Sequence, residues 1–153
     1  MIITFCGHSN FKSKQDDENR LSILLEKISN GQQVDFYLGG YGKFDGFAKD
    51  CAKAFKKKHE DARLFFVTPY LNKWLDDRRD YFEMEYDGII YPEIESVPLK
   101  FAISKRNEWM VRQADHVIGY VQTHCGGAYS TLLYAHKHQK PYTNLYEGNY
   151  KLC

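Results

Sequence analysis

The chain has 153 residues, with 21 Lys+Arg against 20 Asp+Glu, a formal net charge of +1 and 43% hydrophobic residues. Its length predicts one domain over residues 1–153, with a core large enough to fold without a metal or disulfide staple. The composition excludes a disordered chain, and the near-neutral charge argues against a dedicated duplex-DNA or membrane-surface binder.

Along the chain, Ile2 to Cys6 is a short apolar run ending at Gly7, as expected for a strand covered on both faces. Asp16-Asp17-Glu18 then marks a helix start, Leu21, Leu24, Leu25 and Ile28 recur at helical spacing, and Asn30-Gly31 supplies the stop. Val34 to Leu38 reads as a second strand, halted by Gly39-Gly40-Tyr41-Gly42, and a helix follows from about Phe44 to Lys58. Leu64 to Val67 is a third strand. Tyr70 to Pro98 reads as one long irregular segment, which in a compact domain is usually functional or mobile. Helical patterning resumes from Leu99 to Gln113, Val117 to Val121 is a fourth strand, Thr131 to Gln139 another helix and Tyr142 to Leu145 a fifth strand.

Strands and helices in alternation predict a single α/β domain of Rossmann-like type: an open, mostly parallel sheet of about five strands with helices on both faces. Ligands of such sheets bind beyond the carboxyl ends of the strands, where strand order reverses. The unusual clusters all fall directly after a strand: Cys6-Gly7-His8-Ser9, the Gly39–Gly42 turn, Thr68-Pro69-Tyr70, and His124-Cys125-Gly126-Gly127.

Glycine turns between a strand and a helix let bare amides approach an anion, so Gly7, Gly39, Gly40, Gly42, Gly126 and Gly127 are candidate phosphate contacts, though each also suits a tight turn. Arg106 could clamp phosphate in bidentate fashion, and Asn107 could bond a base or ribose; an exposed polar helix face is the plainer reading of both. His8 is placed to contact phosphate or ribose, or to cap its own loop. Asp45 and Glu108 are the available carboxylates for acid–base work.

Cys6, Cys51, Cys125 and Cys153 form no C-x-x-C pair, and His136 and His138 stand at i, i+2 on a helix, so no metal site is expected, nor any cofactor. The amino terminus has no basic leader and no run reaches the ~20 apolar residues of a membrane helix. The cysteines are therefore expected as reduced thiols in a cytoplasm, without disulfides. The load of 12 Tyr, 10 Phe and 2 Trp exceeds what one small core needs and favours a homodimer.

Taken together, Arg106-Asn107-Glu108-Trp109-Met110-Val111 with Ala114-Asp115, Gly126-Gly127-Ala128-Tyr129-Ser130-Thr131 with Tyr134-Ala135, Cys6-Gly7-His8-Ser9, Gly39 to Asp45, and Pro69-Tyr70 resemble, in order, the motifs of the SLOG superfamily. These Rossmann-like proteins are related to the DNA-processing protein DprA and the Lonely Guy phosphoribohydrolases, and the likeness is closest to a small single-domain bacterial branch. The resemblance implies a phosphorylated nucleoside-type ligand, such as a nucleotide or ADP-ribose-like signal in bacterial or phage conflict, with Thr131 joining the glycines at the phosphates. It also implies cleavage or transfer at an N-glycosidic bond as an alternative. The chain departs from the pattern at Ser9, where relatives carry arginine, at Arg112, and at Thr131-Leu132-Leu133-Tyr134, where the phosphoribohydrolases carry a glutamate. Binding is therefore better supported than turnover, and with no basic excess a nucleic-acid partner is not expected.

Overall fold

The computed structural model describes residues 1–153. Six strands form one parallel sheet in the order β4-β3-β2-β1-β5-β6: β1 (Ile2–Gly7), β2 (Asp35–Leu38), β3 (Arg63–Val67), β4 (Gly88–Ile90), β5 (His116–Tyr120) and β6 (Tyr142–Asn144). The helices are α1 (Asp17–Ser29), α2 (Gly42–Lys58), α3 (Lys73–Asp77), α4 (Arg79–Glu85), α5 (Ala102–Gln113) and α6 (Gly126–Lys137).

β1 shows why both faces are covered. Ile3 and Phe5 point into a core shared with Leu21 and Leu25 of α1 and Phe44, Ala48 and Phe55 of α2. Cys6, on the opposite face, packs with Val111 of α5 and Leu132 and Ala135 of α6. Much of the aromatic load fills the first of these layers: Phe36, Phe44 and Phe66 are fully buried, each worth ~1.5–3 kcal/mol of transfer free energy.

A strand not expected from the sequence, β4, and two short helices, α3 and α4, occupy the segment read as irregular. Asn72 caps α3 by accepting a hydrogen bond from the Leu75 amide at 3.2 Å, and Leu75, Phe82 and Tyr86 are buried under α2. β4 pairs Gly88, Ile89 and Ile90 with Phe65, Phe66 and Val67. Elements of three to seven residues give too few repeats for a period to show. Leu99–Phe101 forms a 3-10 turn ahead of α5, and α6 begins at Gly126 rather than Thr131. No helix is long and apolar enough to cross a membrane.

The cysteine expectation is corrected at one pair: Cys125 and Cys153 are joined in a disulfide, with Cα atoms 6.1 Å apart, while Cys6 and Cys51 are free and buried. The carboxyl-terminal tail is laid beside the chain leaving β5, where the Lys151 amide donates to Gln122 O at 2.7 Å. A separation of 28 residues gave no hint of that meeting.

Candidate functional site

From β1 the chain moves outward through β2 and β3 to β4, then returns to place β5 on the other side of β1. Strand order therefore reverses between β1 and β5, and a cavity of about 430 Å3 opens beyond their carboxyl ends. Gly7 and His8 line it from the end of β1, Gly39 and Asp45 from β2 and α2, Arg106 and Asn107 from α5, and Gly126, Gly127 and Thr131 from α6. Nine of the proposed residues thus meet in one place. Phe5, Cys6, Ser9, Asn10, Tyr41, Ile103, Met110 and Ala128 complete the wall. Of these, Tyr41 is the aromatic that the sequence offers for a sugar or base, Ser9 belongs to the cluster after β1, and Asn10 follows it; Ile103 and Met110 enter only through the facing of α5.

Arg106 is 2% exposed, so it is not on the exposed polar helix face that is the plainer reading from sequence. Its Nη1 donates to Gly39 O at 2.9 Å and Val67 O at 2.6 Å, which ties together the ends of β2 and β3. Its Nε donates to Asn107 Oδ1 at 2.9 Å. Only Nη2 is left without a protein partner, on a guanidinium whose pKa is lowered by burial, against the pull of Asp45. Neither half of the Arg106-Asn107 pair lies on a solvated helix face.

Asp45 stands across from it. Its Oδ2 accepts from the Tyr41 amide at 3.0 Å, and burial pushes its pKa up to about 6, opposed by that hydrogen bond and by Arg106. Glycine at position 39 keeps the two apart: a Cβ there would come within 3.0 Å of Asp45 Oδ2 and 3.1 Å of Arg106 Nη2. The next glycine serves packing. Gly40 has φ +71°, and a side chain on it would overlap the Phe66 ring. Gly40 and Gly42 face an adjacent cleft rather than this cavity.

The remaining polar wall offers several donors. His8 Nε2 accepts from the Gln122 amide at 2.9 Å, which places the proton of the neutral ring on Nδ1; burial lowers its pKa and favours that neutral form. Asn107 offers its Nδ2. Cys125, the N-cap of α6, makes no side-chain cap, so the first amides of that helix have no partner within it. Thr131 is committed, donating to Gly127 O at 2.8 Å. Glu108 is not part of the cavity: it pairs with Lys105 at 3.1 Å and lines a smaller hollow beside it.

No protein-family model matches the chain, and no curated protein does. Solved structures do. DNA processing protein A from Helicobacter pylori, described for its single-stranded DNA binding mode, aligns at TM-score 0.63 and 18% identity, over 97% of this chain and 68% of its own. DNA processing protein A from Streptococcus pneumoniae aligns at TM-score 0.60 and 15% identity, over 92% and 48%. The protein TM1055 aligns at TM-score 0.56 and 12% identity, over 92% and 71%. The chain shares the Rossmann-like fold of these DNA processing proteins.

Proposed function

We propose that the chain binds a phosphorylated, nucleoside-type small molecule in the cavity between β1 and β5, as a sensor or binding module. The observation that carries this is the buried Arg106, whose Nη2 has no protein partner and faces a cavity to which His8, Asn107 and the first amides of α6 add further donors. A phosphate dianion is all acceptors and fits such a wall, while Asp45 supplies the one carboxylate for a ribose hydroxyl. A cavity of this volume falls in the ~300–1,000 Å3 range of small-molecule sites.

A second reading, cleavage at the N-glycosidic bond, rests on Asp45 alone. A carboxyl near pKa 6 inside the cavity can exchange a proton at neutral pH. Single-stranded nucleic acid is a third. The protein from Helicobacter pylori, which aligns over 68% of its own chain, has a single-stranded DNA binding mode, so the comparison gives no support to setting nucleic acid aside on net charge. A cytoplasmic homodimer goes with the sensor reading, with exposed Leu99, Phe101 and Ile103, the last of which lines the cavity, as its apolar contact. Sedimentation that shows only monomer removes the dimer.

The test is a thermal-shift panel of nucleoside 5′-monophosphates, ribose 5-phosphate, NAD, cyclic ADP-ribose and an oligothymidylate, with chromatography of each mixture. Stabilisation by phosphorylated monomers without products supports a sensor. Release of free base supports the glycosidase, and stabilisation by the oligonucleotide alone supports the nucleic-acid reading. No stabilisation by any of them overturns all three.

A further inference from the structure

A second cleft, of about 380 Å3, opens beside the first and shares Asp45 with it. Its far side comes from the segment between β3 and β4, which carries Trp74, Arg78 and Tyr81; Gly46 and Lys49 of α2 form the near side. Tyr41 stands between the two spaces. Its ring lies 5.5 Å from the Arg106 guanidinium on one side and stacks on Trp74 at 5.6 Å on the other.

The polar groups here are again donors. Lys49 gives hydrogen bonds or ion pairs to Tyr81 Oη at 3.1 Å and Glu85 at 3.2 Å, which leaves one of its three N–H groups over. Arg78 lies over the Trp74 ring at 4.8 Å, spends one donor on Trp74 O and has no carboxylate partner. Aromatic edges with spare cationic donors suit a flat ring that presents carbonyl oxygens.

We infer that the β3–β4 segment builds the second half of one binding site: a cleft for the planar, carbonyl-bearing base of a nucleotide whose ribose hydroxyls meet Asp45 and whose phosphate lies in the first cavity. This rests on the phosphate site proposed above. It makes Trp74, Arg78 and Lys49 the residues that set base preference.

Gly46 provides the test. It is helical and exposed, and a Cβ on it would meet nothing within 4 Å. Gly46→Phe therefore places a ring in the second cleft without disturbing the core. Calorimetric titration of the whole chain with ribose 5-phosphate and inosine 5′-monophosphate separates the two halves. Wild type is expected to bind the nucleotide about tenfold or more tighter than the sugar phosphate, in keeping with base stacking on aromatic side chains. Gly46→Phe should abolish that advantage and leave ribose 5-phosphate unchanged. Arg78→Ala, an exposed position, should reduce the advantage severalfold.

If both ligands bind wild type equally, or if both variants keep the full advantage, the base does not use this cleft and the inference is overturned. If neither ligand binds wild type, the phosphate site itself is wrong and the inference falls with it.

Discussion

Asp45 and Arg106 face each other across Gly39 without forming an ion pair, held apart by a gap that one methyl group would fill: a Cβ on Gly39 would lie 3.0 Å from Asp45 Oδ2 and 3.1 Å from Arg106 Nη2. A carboxylate and a guanidinium left unpaired in such a place form a vacancy for a group that bonds to both. Gly39→Ala should therefore weaken ribose 5-phosphate by more than about tenfold, or ~1.4 kcal/mol. Because residue 39 does not need a positive φ, the variant should still fold with near-normal urea stability. Unchanged affinity in the folded variant would separate the gap from ligand binding.

Asp45 also sets a pH dependence. Its pKa rises from an ordinary 3.8 to about 6 in the folded chain, so between those values the native state holds the proton that the unfolded state has lost. Stability from this group therefore falls as pH rises from about 4 to about 6, by up to ~3 kcal/mol, and stays low above. Asp45→Asn keeps an oxygen for the Tyr41 amide and removes the charge. Urea titrations should find it more stable than wild type at pH 7.5, with the difference vanishing below pH 4. Equal stability at both pH values would mean that Asp45 is not forced to ionise at a cost.

Arg106 holds the architecture as well as the site. Arg106→Ala removes the donors to Gly39 O and Val67 O and should cost ~2–5 kcal/mol in urea unfolding, since two buried carbonyls lose their partners. Arg106→Lys should recover only part, because one ammonium cannot reproduce the planar fork. An unaffected midpoint in Arg106→Ala would show that these bonds do not fasten β2 to β3.

The Cys125–Cys153 link closes a loop over a 28-residue separation. Cys153→Ser should cost ~2–4 kcal/mol, and a dithiol reductant should lower wild type to the same stability. Identical melting of wild type with and without reductant would contradict a formed disulfide.

The layout of the sheet was legible because its central strands are continuous apolar runs punctuated by glycine, and because α1 and α2 carry long apolar stripes. β4 was not, since Gly88–Ile90 offers three residues and no alternation. Nine of the residues that line the cavity were legible from their position after strands and on α5. The chemistry of Arg106 suggests phosphate but not its second task, since only the folded chain brings it to the carbonyls of residues 39 and 67, far away in sequence. Glu108 was misplaced for a related reason, as its neighbour Lys105 lies three residues back on the same helix face and holds it outside.

The central claim, an anion held between Gly39 and the start of α6, is tested most directly by following amide resonances during a titration with ribose 5-phosphate. The amides of Gly39, Gly126, Gly127 and Ala128 and the Arg106 side chain should shift together, with one saturating affinity, and unphosphorylated ribose should leave them in place. Shifts confined to the lysine-rich face of α2, around Lys53 and Lys57, or equal responses to ribose with and without phosphate, would contradict it.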